Sequence, residues 1–85
     1  MENKVLVRII FPQLDKTFDV YIPVNELVWK IKILLFNSIL DLSDFKLLFK
    51  NYVLINKITS KVYKNNDIII NTDIRNGTEL LLISI

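Results

Sequence analysis

Between Thr17 and Ile22 the chain alternates residue by residue, with Phe18, Val20 and Ile22 on one side and Thr17, Asp19 and Tyr21 on the other. Successive side chains of extended backbone point to opposite faces, so this period of two marks a half-buried strand. Upstream, Lys4 to Phe11 is apolar and β-branched, interrupted only by Arg8, and is expected to be a strand buried on both sides or nearly so. The segment Pro12-Gln13-Leu14-Asp15-Lys16 has the residues of a turn. An N-terminal hairpin follows, and it commits the rest of the chain to building on a sheet.

Pro23 cannot donate to a strand ladder and is expected to end the hairpin. Asn25 is a candidate N-cap, and Glu26 suits the positive end of a helix dipole. From there to about Leu40 the period is helical. Leu27, Val28, Ile31, Leu34, Leu35 and Ile39 share one broad face, the expected core face. A second apolar stripe, Trp29, Ile33, Phe36 and Leu40, runs nearly opposite at spacings i, i+4, i+7, i+11. Glu26, Lys30, Asn37 and Asp41 separate the faces on one side and Lys32 on the other. A helix lying on one side of a sheet needs one apolar face, so the second stripe is either covered or exposed for binding.

Beyond the helix, Phe45 to Phe49 and Tyr52 to Ile58 both have strand character, and either can supply the third sheet strand. Val62-Tyr63 suits a short strand, and Asn65-Asn66-Asp67 a turn. Ile68 to Ile74, broken by Asn71, Thr72 and Asp73, suits a short strand or turn. Asn76-Gly77 is a strong turn signal, with the only glycine where a positive φ is expected. Glu79 to Ile85 closes the sequence as a strand. The 85 residues, 52% hydrophobic with one Gly and two Pro, are expected to form one domain, residues 1–85, without a linker or low-complexity tract. The order predicts an α+β fold with a mixed four- to five-stranded sheet and one main helix packed on one face. Order alone does not separate a β-grasp from another small one-helix sheet.

Ile22-Pro23 before the helix, the turn Asn65-Asn66-Asp67, and Ile74-Arg75-Asn76-Gly77-Thr78-Glu79-Leu80-Leu81-Leu82-Ile83 resemble the ubiquitin-like superfamily. They look most like the small YukD/EsaB-type ubiquitin-like proteins of type VII secretion systems in Gram-positive bacteria. The resemblance is loose over most of the chain and good over the last twenty or so residues. It fails between helix and turn, where this chain is several residues longer. It implies a ubiquitin-like β-grasp acting as a cytoplasmic accessory or regulatory part of a WXG-type secretion system. The implied partner is a membrane component of the apparatus or its ATPase. The alternative is a self-associating structural β-grasp domain of phage or mobile-element type, forming a homodimer without a secretion role.

Several chemistries are not expected. Ubiquitin and the related sulfur carriers act through a C-terminal Gly-Gly, whereas this sequence reads Leu82-Ile83-Ser84-Ile85 and holds one glycine in total. With no histidine and no cysteine, the commonest general base, thiol nucleophile and soft metal ligands are missing. The acid pairs Asp41/Asp44 and Asp67/Asp73 read as turn and cap carboxylates. No catalytic, cofactor or metal site is expected. The net charge of +2 is too small to argue for nucleic acid, and Lys46, Lys50, Lys57, Lys61 and Lys64 read as solvated. A single-strand binder would interleave stacking aromatics with these, and only Tyr52 and Tyr63 qualify. The densest apolar run, Ile33 to Phe36, is far too short for a membrane span, and Glu2, Lys4 and Arg8 break any signal-peptide core.

Two partner-binding surfaces are expected. If Leu80 and Leu82 point inward, Leu81, Ile83 and Ile85 line the open face of the sheet. The second surface is the stripe Trp29, Ile33, Phe36 and Leu40. One short middle segment cannot cover opposite sides of a small domain, so at least one of the two stays exposed.

Overall fold

The computed structural model describes residues 3–38 and 51–84. Strands β1 (Lys4–Phe11) and β2 (Lys16–Pro23) form the expected hairpin, joined by a single 3-10 turn at Pro12–Leu14. Helix α1 (Val28–Ser38) follows, then β3 (Tyr52–Asn56), β4 (Val62–Tyr63) and β5 (Glu79–Ser84). The sheet order is β2-β1-β5-β3-β4. β5 lies parallel to β1 and antiparallel to β3, so the last strand sits at the sheet centre. Tyr52–Asn56 is thus a sheet strand next to β5, while the Phe45–Phe49 segment lies outside the described residues.

β1 is buried on one face only, contrary to its nearly continuous apolar sequence. Val7, Ile9 and Phe11 are core residues, whereas Leu6 and Arg8 are exposed and Ile10 is half-buried. The inner faces of β5 and β3 contribute Leu80, Leu82 and Leu54, all essentially inaccessible. Val28, Ile31, Leu35 and Phe36 of α1 close the same core from above. Each such side chain contributes roughly 1.5–3 kcal/mol relative to an exposed one. The rings of Phe11, Phe36 and Tyr52 meet at one end, with centroids 5.1–6.3 Å apart.

The helix begins three residues after the expected cap Asn25, because backbone from a distant turn completes its first turn. The Val28 and Trp29 amides donate to the carbonyls of Asp67 and Asn65 at 2.9 and 3.2 Å. Residues 24–27 are tied to a 3-10 turn at Ile69–Asn71: Ile69 N–H donates to Glu26 O and Ile70 N–H to Val24 O. Helix-terminal donors need partners from somewhere, and here the Asn65-Asn66-Asp67 turn supplies them.

Gly77 has φ of 88°, the left-handed conformation that glycine adopts without steric cost. Its N–H donates to Leu6 O at 2.8 Å, while Asn76 Oδ1 accepts from Leu6 N at 2.8 Å. The turn therefore extends the β1–β5 pairing and fixes its register, Arg8 opposite Glu79 and Ile9 opposite Leu80.

Candidate docking face

Packing Leu80, Leu82 and Leu54 inward turns the alternate residues of the same strands outward. Cross-strand register gathers these residues into rows. Thr17 lies opposite Ile10, Ile10 opposite Leu81, Leu81 opposite Ile55, and Ile55 opposite Val62. Ile83 opposite Val53 adds a second, shorter apolar row. Ile10, Leu81, Ile83, Val53 and Ile55 are half-buried, and Val62 is exposed. Leu81 and Ile83 thus stand on the open face as their alternation with Leu80 and Leu82 predicts. Ile85 lies outside the described residues.

Two residues along the strands, the next row is entirely charged. Asp19 lies opposite Arg8, and Arg8 opposite Glu79. Arg8 Nε donates to Asp19 Oδ1 at 3.0 Å, Arg8 Nη1 is 4.0 Å from Glu79 Oε2, and Lys57 Nζ is 3.8 Å from that same oxygen. Lys57 is held there by its N–H, which donates to Glu79 O at 3.0 Å. The hydrogen bond to Asp19 and its charge raise the Arg8 pKa. The ladder Asp19–Arg8–Glu79–Lys57 therefore alternates in sign and carries no net charge. Past it lie Leu6 and Tyr21, exposed and directly opposite one another. Leu6, Arg8, Asp19, Gly77 and Glu79 border a shallow bowl of about 390 Å³ on that side.

The second expected surface is only partly assembled. Trp29 and Ile33 are half-buried and, with Glu26, Lys30 and Leu34, line a slot of about 320 Å³ on the helix. Lys30 Nζ lies 5.6 Å from the Trp29 ring and 3.8 Å from Glu26. Phe36 does not belong to this surface, because it is 1% exposed and packs in the core on Phe11 and Tyr52. Conversely Leu34, expected in the core, is 45% exposed. Leu40 and Ile39 lie outside the described residues.

Lys32 lies on the buried side of the helix so rotated. It is 2% exposed and sits among the core-facing helix residues, its Nζ donating to Tyr52 O at 2.9 Å. Its stem packs as an apolar chain while its head reaches a carbonyl at the sheet end. Burial lowers its pKa. At 100° per residue the buried residues Val28, Ile31, Lys32, Leu35 and Phe36 form an arc centred roughly 60° from that of the expected face, with Phe36 inside it and Leu34 outside.

The remaining polar candidates have structural partners. Asp67 Oδ2 accepts from Lys64 N, and Asp73 Oδ1 accepts from the Tyr63 hydroxyl at 2.5 Å. Asp41, Asp44, Lys46 and Lys50 lie outside the described residues, whereas Lys57, Lys61 and Lys64 are exposed. Among the described residues no three His, Cys, Asp or Glu side chains converge, and no helix is long and apolar enough to cross a membrane.

A parallel pair of terminal strands at the centre, a hairpin on one side and one helix across the inner face decide the architecture. Solved structures share it. The N-terminal ubiquitin-like domain of the 4931431F19Rik protein superimposes with a TM-score of 0.74 at 19% identity, covering 100% of this chain and 78% of that one. The fold is a ubiquitin-like β-grasp. The ubiquitin-like domain of Arabidopsis thaliana protein At2g32350 matches this β-grasp with a TM-score of 0.70 at 18% identity, over 96% of this chain and 78% of that one. ATBAG1, solved in complex with HSP70, matches with a TM-score of 0.71 at 14% identity, over 94% of this chain but only 40% of its own. No protein-family model and no curated protein sequence matches.

Reading the sequence alone misses Ile10, Val53, Ile55 and Val62 as members of the open face, and misses the charge ladder entirely. The signal for the apolar members is the period of two in each strand. The ladder joins Arg8 to Glu79, residues from opposite ends of the described chain, and requires the register.

Proposed function

We propose that this β-grasp domain is a non-catalytic protein-docking module that engages its partner through the open face of the sheet. The observation carrying the proposal is the contiguous row Ile10–Leu81–Ile55–Val62, with Ile83 and Val53 behind it. Apolar residues clustered on one face and bordered by charge are the arrangement of a protein interface. A protein containing a similar domain, ATBAG1, has been solved bound to HSP70, which shows that protein to assemble with another. The resemblance of residues 74–83 to YukD/EsaB-type proteins narrows the proposal. It assigns the domain an accessory, regulatory role in the cytoplasm at a type VII secretion apparatus, contacting a membrane component or its ATPase.

Calorimetric titration against the cytosolic portions of that component and of the ATPase tests the reading. Leu81→Asp or Ile55→Asp should weaken binding by at least about tenfold, the loss typical of a central interface residue. Leu34→Glu, on the far side of the helix, should leave it unchanged. Normal secretion of WXG-type proteins in a deletion strain would sink the secretion assignment. Open-face-dependent dimerisation in light scattering, with neither protein bound, would favour the self-associating alternative.

A further inference from the structure

We propose that the ladder Asp19–Arg8–Glu79–Lys57 is the specificity element of the open face, and that its partner is an amphipathic α-helix carrying charges of both signs along one flank. This rests on the docking reading above and says which protein segment the face takes. The apolar row Ile10–Leu81–Ile55–Val62 crosses four neighbouring strands. Neighbouring strands lie about 4.8 Å apart, so the row offers one apolar position per 4.8 Å over about 14 Å. A helix laid along the row presents apolar residues once per turn, about every 5.4 Å, and three turns fill it. An extended peptide presents same-side residues about every 6.7 Å and falls out of step by the second anchor. The spacing therefore selects a helix.

A helix so placed runs parallel to the charge ladder, one row away. Along that row the signs read minus, plus, minus, plus, again at one position per strand. A partner flank with one sign meets two attractive and two repulsive groups, and its interaction cancels. A flank alternating Lys and Glu once per turn can meet four attractive groups. The bowl bordered by Leu6, Arg8, Asp19, Gly77 and Glu79 leaves room for those side chains. Exposed pairs are individually weak, so the ladder contributes selectivity while the apolar row supplies affinity.

The test uses three synthetic helices with the same leucine stripe at i, i+4, i+7 and i+11 and with flanks of all Glu, all Lys, or Lys and Glu alternating by turn. A fourth peptide of alternating Leu and Thr represents an extended ligand. Fluorescence anisotropy should show the wild-type domain binding the alternating flank roughly fivefold more tightly than either single-sign flank. Arg8→Glu combined with Lys57→Glu makes the ladder wholly acidic and should move the preference to the all-Lys helix, and Asp19→Lys combined with Glu79→Lys makes it wholly basic and should move it to the all-Glu helix, with both new preferences lost at high salt. These opposite shifts guard against either variant merely loosening the fold. A wild-type domain indifferent to flank charge, or tighter on the extended peptide, overturns the inference while leaving the docking face intact. Failure of every peptide to bind overturns both.

Discussion

Replacing Tyr63 by phenylalanine isolates one oxygen at the junction of three segments. The hydroxyl donates to Asp73 Oδ1 at 2.5 Å and accepts from Asn56 Nδ2 at 3.1 Å. Asn56 is itself buried, its Oδ1 accepting from the amides of Ile58 and Thr59 and so shaping the turn between β3 and β4. The ring stays in place in Tyr63→Phe, but Asp73 loses a charge-assisted bond and a buried amide loses its acceptor. Together these should cost about 2–3 kcal/mol at pH 8, or about 10–20 °C in Tm for a domain of this size. The pH dependence separates this account from generic loosening. Burial, followed by the bond to Asp73, pushes the Tyr63 pKa up from 10.0 to about 12. The folded state thus retains a proton that the unfolded state releases. The stabilisation is complete below pH 10 and is lost as pH rises from 10 towards 12. By pH 11 the wild type should have lost about 1.4 kcal/mol from this group alone. Urea unfolding of both proteins at pH 8, 10 and 11, followed by Trp29 fluorescence, measures the gap between them. Effects of pH common to both proteins cancel in the difference. The gap should shrink by about half between pH 8 and 11, and a constant gap would refute the claim that the fold holds this phenol neutral.

Other substitutions test the fold and its faces. Phe36→Ala should destabilise by about 3–5 kcal/mol, whereas Leu34→Ala should stay within about 0.5 kcal/mol, reversing the order expected from the helical stripes; chemical denaturation reads both. Gly77→Ala should cost about 1–2 kcal/mol although nothing lies within 4 Å of the added methyl, because the backbone there is left-handed; a neutral result would argue against φ of 88°. Thr72→Val should cost about 1–2 kcal/mol in the same assay, since its buried hydroxyl donates to Ile69 O at 2.6 Å and accepts from Ile74 N at 3.2 Å.

Much of the sheet is legible in the sequence because strand burial has a period of two that needs no knowledge of neighbours. Thr17–Ile22 shows this directly, and in Glu79–Ser84 the same period turns Leu81 and Ile83 outward given that Leu80 and Leu82 point inward, as the burial has it. The buried face of the helix departs from its apolar periodicity for a physical reason. Periodicity assigns a lysine to the boundary of an apolar face, because a charged head normally needs water. Lys32 instead reaches the Tyr52 carbonyl, a partner twenty residues away that no local pattern announces. The helix start likewise depends on distant partners, since its first amides take carbonyls from residues 65 and 67. In each case the deciding partner is distant in sequence.

Arg8 shows what such distant partners change about the site. In the sequence it is a blemish in an otherwise apolar run, and the run reads as a strand buried on both sides. In the sheet it marks the outward face: Asp19 and Glu79 arrive from either side, and Lys57 extends the row. A fully buried arginine would have required deep compensation for desolvation. A half-exposed one with partners on both neighbouring strands requires little, and it divides the apolar surface into the broad Ile10–Val62 row and the smaller Leu6–Tyr21 pair. Without that division the open face would be one continuous apolar sheet surface, open to any sticky partner and to self-association. The charge that breaks the hydrophobic run therefore limits what the face can bind, because a ligand must satisfy the apolar row without opposing an alternating ladder beside it. Affinity and selectivity lie in different rows, so substitutions at Leu81 and at Arg8 should alter different properties: the first how tightly a helix binds, the second which helix it is.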